Sequence, residues 1–313
     1  MLKRFCAIAL AAAVLPVAAQ TWPARNLQVI VPWPAGGGVD AIGRAMSSAM
    51  GEILGQQVVV INRDGAAGTI GTAAVAASRP DGYTLAFGPL TPITNAPHLM
   101  KELPYGYDAF TFVCQVFENA FALGVGADSR FRTIGDLVRF IEANPGKVSI
   151  GHFGGGSQSH LSVANILVSR KLSVVEVPYK GDAAILPDLQ TGRVDAGAVT
   201  VQSMIGRPIR LVGIFADARH PAFPDTPTIA ESGLPSMPAA RNGFAVPKAT
   251  PVEIVRRLET ACEQATHAET VRTTTQRLQQ PVVHLDRSAF TAKAEDDYRQ
   301  RGTLIRALGL KPQ

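Results

Sequence analysis

Short apolar runs alternate with stretches of helical period along most of this chain. Leu27–Val31 is a β-rich run, followed by a Pro- and Gly-rich turn. Ile42, Met46, Ala49, Met50, Ile53 and Leu54 then share one face of a helix that Gly55 stops, with Asp40 at the N-cap position. Val58–Asn62 and residues 83–87 read as the next strands, with a small-residue helix over 72–77 between them. The alternation resumes with strands at 121–125 and 148–151 and helices at Ile134–Ala143 and 160–168. Strands at 174–177, 196–201 and Ile209–Phe215 follow, with a helix ending near Leu189. After Pro-rich loops over 221–238, a short strand at 244–246 precedes a helical C-terminal third, opened by Pro251. Strand–helix alternation of this kind predicts an α/β protein with mostly parallel sheets. The strand–glycine loop–helix unit at 27–54 recurs at 148–168, which points to two facing lobes.

The first residues change the picture of where the chain resides. Lys3 and Arg4 precede an apolar run over 5–17, and Val17 and Ala19 are small. That order describes a secretory signal peptide over residues 1–19, cleaved after Ala19. The run is shorter than the roughly 20 residues that span a bilayer. The expected location is therefore the periplasm. Composition adds exclusions. The apolar share of 46% supports packed cores, and the net charge of +5 includes Lys3 and Arg4 of the leader. Basic residues are dispersed and aromatics are 6%, so no nucleic-acid surface is expected. Cys114 and Cys262 remain after the leader; an oxidising periplasm would allow them to pair, but two separate buried thiols are the favoured expectation, because sequence does not place them together.

Candidate chemistry concentrates in the loops. In the stretch Trp33, Pro34, Ala35, Gly36, Gly37, Gly38 and Asp40, a glycine turn after a strand and before a helix suits either an anion site or a plain turn. GxGxxG and the phosphate-loop pattern are absent, so no nucleotide is expected. Gly154, Gly155, Gly156, Ser157, Ser159 and His160 form a second such loop. A hydrolase elbow would read GxSxG, which this loop does not match. A serine hydrolase using Ser157 and His160 is thus a minor alternative, and a ligand-binding role for the serines is preferred. Lys180 either reaches an anion or lies solvated on its turn, and Asp182 starts the next helix. No metal motif is present.

Several stretches in order resemble one family. VIVPWPAGGGVD, VVVINRDGAAGTIG, PDGYTL, ELPY with a following F-x-F, ANPGKVSIGHFGGGSQSHL, VPYKGDAAILPDLQTGRVD, FPDTPTIAESGLP and VPKATPVEIVRRL together cover nearly all of the chain beyond the leader. They resemble the solute receptors of tripartite tricarboxylate transporters, the Bug receptors. The resemblance implies a type II periplasmic-binding fold, a Venus flytrap whose lobes are expected over 22–120 with 245–313 and over 121–244. It implies no catalysis and no cofactor. It implies a small mono- or dicarboxylate ligand, aromatic ones included, held by backbone N–H groups and hydroxyls. Carried onto this chain, the loops are 34–38 with Asp40, the turn at Gly88, Leu90 and Thr91, the loop at 154–159, and the turn near Lys180 and Asp182. The expected partner of the monomeric receptor is a set of membrane transporter subunits, or alternatively a sensor kinase. Four departures from the family pattern fall near expected pocket walls: Pro89 and Pro92, Asp64, a shortened stretch after Asp195, and Arg241-Asn242-Gly243 near the hinge.

Overall fold

The computed structural model of the chain describes residues 22–310 except 238, together with residue 312. The expected leader lies outside them. Along the described residues the strands are β1 (Leu27–Val31), β2 (Val58–Asn62), β3 (Thr84–Pro89), β4 (Phe110–Asn119), β5 (Phe121–Gly126), β6 (Ser149–His152), β7 (Val175–Pro178), β8 (Ala196–Thr200), β9 (Ile209–Phe215), β10 (Ala240–Pro247) and β11 (Val282–Leu285). The helices are α1 (Gly38–Leu54), α2 (Thr69–Ala76), α3 (Thr91–Thr94), α4 (Ala96–Leu99), α5 (Ile134–Ala143), α6 (Gln158–Arg170), α7 (Asp182–Gln190), α8 (Val201–Met204), α9 (Val252–Thr266), α10 (Glu269–Arg277) and α11 (Arg287–Ala307).

Two mixed sheets result, ordered β11-β4-β10-β3-β1-β2 and β7-β6-β8-β5-β9. The first sheet pairs β1 with β2 and with β3 in parallel, and β10 and β11 bring three antiparallel pairings. The second pairs β6 in parallel with β7 and β8, and β5 antiparallel with β8 and β9. The sheets are therefore less parallel than the alternation suggests, because strands that cross between the sheets run against their neighbours. β4 ends at Asn119 in the first sheet and β5 starts at Phe121 in the second. The chain returns at Ala240, which pairs directly with Asn119. Both crossings thus lie side by side.

Local chemistry accounts for most elements. α1 buries Ile42, Met46, Met50 and Leu54 against the first sheet and ends at Gly55, whose φ of 69° is the left-handed conformation glycine favours. Asp40 is not the cap that was expected. The helix begins two residues earlier, and Asp40 sits in its first turn, where a carboxylate faces the positive end of the helix dipole. α5 starts on a capping box between Thr133 and Asp136, worth about 1 kcal/mol. Pro251 is itself the residue flanking α9 rather than its first helical residue. Each sheet has its own apolar core, with Phe87, Phe117 and Phe244 in the first and Phe131, Leu137 and Phe215 in the second. A smaller cluster of Leu161, Met237, Leu304 and Ile305 joins α6 to α11.

The expectation of two separate thiols is overturned. Cys114 on β4 and Cys262 on α9 form a disulfide with their Cα atoms 6.6 Å apart at a sequence separation of 148. α9 packs directly on β4, so folding brings together two cysteines that nothing in the sequence relates. Closing so long a loop constrains the unfolded chain. Replacing both cysteines by alanine is expected to cost about 2–5 kcal/mol, read from urea unfolding, and the denatured wild-type protein should show no free thiol on Cys114 or Cys262.

Candidate functional site

A cleft of about 590 Å³ opens between the two sheets. Trp33, Val39, Thr91, Leu99 and Met100 line it from the side of the first sheet, and Phe153, Gly155, Gly156, Ser157 and Thr200 from the side of the second. Asn119, Phe121 and Ala240 line it at the strand crossing. None of the described residues that line it carries a formal charge. The polar side chains in the lining are all neutral, among them Thr69, Thr91, Asn95, Asn119, Ser157 and Thr200, and the rest of the wall is hydrocarbon and aromatic.

Each expected loop contributes only part of itself. From the first, Trp33 reaches the cleft, while Pro34, Ala35, Gly36, Gly37 and Gly38 are exposed and outside the lining. Asp40 is buried and braces the loop, accepting hydrogen bonds from Gly36 N (2.9 Å), Asn62 Nδ2 (2.9 Å) and Arg44 Nε (3.1 Å). Burial alone would raise its pKa, but the Arg44, Gly36 and Asn62 hydrogen bonds prevail and hold the carboxyl below its ordinary value. At the third strand, Thr91 reaches the cleft and so do Pro89 and Pro92. Gly88 and Leu90 do not: both are buried, and the Leu90 amide donates to Arg241 O at 2.9 Å.

In the second glycine loop, Gly155, Gly156 and Ser157 line the cleft and Gly154 does not. The loop uses most of its own donors. Phe153 N donates to Ser159 Oγ (2.9 Å), Gly154 N to His152 Nδ1 (3.1 Å), Gly156 N to His160 Nδ1 (3.0 Å) and Ser157 N to Gly154 O (3.2 Å). Gly154 and Gly156, at φ of 93° and 76°, supply the left-handed turns that this wiring needs. Ser157 caps α6, accepting from His160 N and donating to Gly154 O. Ser159 is fully buried beneath the loop, and His160 is buried outside the lining. The Ser157 hydroxyl meets the His160 backbone amide, and the ring nitrogens of His160 are engaged by Gly156 and Glu176. A serine–histidine nucleophile pair is therefore not assembled here.

Lys180 is exposed and outside the cleft lining. Asp182 also stands behind the wall: its carboxylate accepts from Thr200 N (3.0 Å) and Thr200 Oγ1 (2.8 Å), so it positions Thr200, which does line the cleft. Burial pushes the Asp182 carboxyl up, against the pull of the Thr200 hydrogen bonds. Residues that the sequence reading passed over include Ala66, Ala67 and Thr69 on one wall and Asn119, Phe121 and Ala240 at the crossing. The first three lie in the stretch GAAGTIG, directly after the departure at Asp64, which was the available signal. The crossing residues become legible only once β4 is paired with β10.

His152, His160 and Glu176 bring three potential metal-ligand atoms within 4.8 Å of one another. Their hydrogen bonds favour another role. Both Nδ1 atoms accept backbone N–H groups, so in the neutral rings the protons sit on Nε2 and face Glu176, which lies 3.8 Å from His152 and 3.3 Å from His160. A protonated Nε2 has no lone pair for a metal. The pair instead pins the glycine loop from below.

Several comparisons bear on this geometry. The profile described as "Tripartite tricarboxylate transporter family receptor" matches residues 42–310. The chain belongs to that family. It is 31% identical over 322 residues to a UPF0065 protein of Bordetella pertussis, covering 100% of this chain and 98% of that one. Among solved structures, a ligand-free TctC solute binding protein from Polaromonas superposes with a TM-score of 0.82 at 27% identity, covering 91% of this chain and 99% of that one. MatC from Rhodopseudomonas palustris with bound malate gives 0.72 at 27% identity, over 91% of this chain and 100% of that one. Rpa4515 of R. palustris with adipate gives 0.76 at 25% identity, over 93% and 100%. The receptor of this family presents a two-lobed α/β fold, and this chain is a solute-binding receptor of the TctC/Bug type.

The loop wiring carries a pH dependence. Burial holds both rings below the ordinary histidine value of 6.5, His160's charge adds to this for His152, and Glu176 opposes it for both. The unfolded chain therefore takes up protons first as pH falls, so stability present above about 6.5 is lost below it. His160→Asn keeps an acceptor near the Nδ1 position and removes the titration. Its urea midpoint is expected to fall less steeply than wild type's between about pH 7 and 5. An identical slope would mean that His160 does not titrate there. Glu118, Asp182 and Asp297, whose carboxyls burial raises, act in the opposite direction but equally in both proteins.

Proposed function

We propose that this receptor binds a small carboxylate in the cleft between its sheets, in the periplasm, and delivers it to the membrane subunits of a tripartite tricarboxylate-type transporter. The observation that carries the reading is the uncharged cleft of about 590 Å³ with Gly155, Gly156 and Ser157 at the start of α6 on one wall. Its size suits a metabolite. A carboxylate is well served by backbone N–H groups and hydroxyls, which bind it without fixing what the rest of the ligand must be. The malate and adipate seen in two structural neighbours support the same class. The lobes on this reading are 22–120 with 245–313 and 121–244, except that β10 enters the first sheet from Ala240. Ligand contacts to both lobes favour a closed arrangement by a hinge at the paired crossings. Nothing in the geometry favours a sensor kinase as partner over a transporter, or catalysis over binding.

The test is thermal denaturation of the mature protein, refolded to strip carried ligand, against mono-, di- and tricarboxylates and amino acids. A ligand present at 100 times its dissociation constant should add about 2.7 kcal/mol, a shift of several degrees. The same ligand should reduce the radius of gyration in small-angle scattering. A panel with no shift would remove the carboxylate reading, and a shift without compaction would remove the clamp.

A further inference from the structure

The glycine loop on the cleft wall is held at each end by a buried histidine, and the two rings share one carboxylate. We propose that His152, His160 and Glu176 form a proton switch: at neutral pH the rings hold the loop in place, and in acid they let go of it, so that a bound carboxylate is released as the surroundings acidify. The release step rests on the carboxylate-receptor reading; the switch itself does not.

Each ring serves the loop as an acceptor. His152 Nδ1 takes the Gly154 N–H at 3.1 Å, and His160 Nδ1 takes the Gly156 N–H at 3.0 Å. Gly156 itself lines the cleft, and Gly154 adjoins Gly155, which also does. An imidazolium carries a hydrogen on both nitrogens and accepts nothing. Turning the ring over does not help, because either nitrogen then presents an N–H. A proton on either ring therefore sets one N–H against another beneath the loop. The glycine amide regains a partner only if the loop moves, and glycine is the residue whose backbone moves most freely.

Glu176 supplies the route and the bias. Its Oε1 lies 3.3 Å from His160 Nε2 and 3.8 Å from His152 Nε2. It stands on β7, an edge strand, with its side chain 42% exposed, whereas the rings are buried. His160 is the nearer ring, and it is the one that holds the cleft-lining glycine. The ring centroids are 4.7 Å apart, so a charge on one ring opposes a charge on the other and the first proton acts alone. Burial keeps both rings below the ordinary value of 6.5 while Glu176 pulls them back up, so the switch operates in mild acid. The other charges nearby are engaged or turned to solvent. Arg170 and Lys171 at the end of α6 and Lys180 after β7 are exposed. Arg301 of α11 reaches Gln158 but is paired with Asp297. His98 on α4 meets Tyr298 O. Asp182 of α7 is bound to Thr200, a cleft residue, and its raised carboxyl is the rival origin for any effect of acid on the cleft.

Nuclear magnetic resonance of the ligand-free, refolded mature protein, isotope-labelled at glycine and histidine, decides the switch between about pH 7.5 and about pH 5. The Gly154 and Gly156 amides are expected to shift in step with protonation of His160. Glu176→Gln removes the carboxylate that favours the proton, so the midpoint moves to lower pH. His160→Asn, which offers an acceptor that does not titrate, is expected to abolish the Gly156 response. Should that variant not fold, Glu176→Gln, at a half-exposed edge position, carries the test. Glycine amides that stay still while the histidines titrate would overturn the proposal. So would a midpoint unmoved in Glu176→Gln, which would place the proton at Asp182. Calorimetric titration with adipate reads the release step. Its affinity is expected to fall at least about three-fold from pH 7.5 to pH 5, and by no more than about ten-fold per pH unit, the limit for one proton. Equal adipate affinity at both ends would remove the release step. Adipate failing to bind at neutral pH would count against the carboxylate reading alone, because the glycine shifts are read without it.

Discussion

The arrangement of the two sheets depends on charges buried where the chain crosses between them. Arg241, on β10 one residue past the return crossing, is 3% exposed and ion-paired to Glu118 at the end of β4, to Asp297 on α11 (3.3 Å) and to Asp217 (3.5 Å). Arg301, one turn on from Asp297, is 1% exposed and extends the set to Gln158 at the start of α6. Burial raises the Glu118 and Asp297 carboxyls and lowers the Arg301 guanidinium, and the opposite charges pull each back. Such a set contributes little net stability compared with a hydrocarbon replacement of the same shape, yet loss of one member leaves an uncompensated charge and costs about 3–5 kcal/mol. It is therefore a device for register more than for strength. It ties β4, β10, α11 and α6 to one another at a single buried point.

That relation sets the cleft. Asn119 follows Glu118, Ala240 precedes Arg241, and Gln158 accepts from Arg301; Asn119, Ala240 and Gln158 all line the cavity. The disulfide between Cys114 and Cys262 anchors the same β4 to α9 from the other side. Gly243 belongs to the same packing, since any side chain there would strike the Cys114 carbonyl and the Phe290 ring. The departure noticed at Arg241-Asn242-Gly243 is thus not a change in the pocket wall. It is a change in what stands directly behind the wall.

Which parts of this were legible in the sequence follows from how local each one is. Strands such as β1 and β9, and helices such as α1 and α5, are signalled by runs and periods within their own residues, and their positions were readable to within a few residues. β4 was not, because FTFVCQVFEN is buried along almost all its length and shows no alternation. β11 is four residues without a strong pattern. The motif loops named Trp33, Thr91, Gly155, Gly156 and Ser157, which do line the cleft, alongside Ser159, His160, Lys180 and Asp182, which do not. A sequence shows that a serine carries a donor. It does not show that a neighbouring carbonyl has already claimed it, as Gly154 O claims the Ser157 hydroxyl. Residues supplied by the crossing, and a cysteine pair 148 apart, depend on tertiary pairing alone.

The spending of loop donors has a consequence for selectivity across the family fold. A glycine loop pinned by Ser157, Ser159, His152 and His160 is already in place before a ligand arrives, so little ordering entropy is lost on binding. The same holds for a wall stiffened by Pro89 and Pro92, whose φ angles are fixed by their rings. A loop fixed in this way leaves discrimination to the side chains opposite it. Some of those side chains, Thr91, Pro92, Ala96 and Leu99, sit on α3 and α4, short helices that belong to neither sheet. The fold can thus keep its glycine loop and its buried charge network while the far wall is rewritten. In this chain the far wall is written in proline, leucine and methionine.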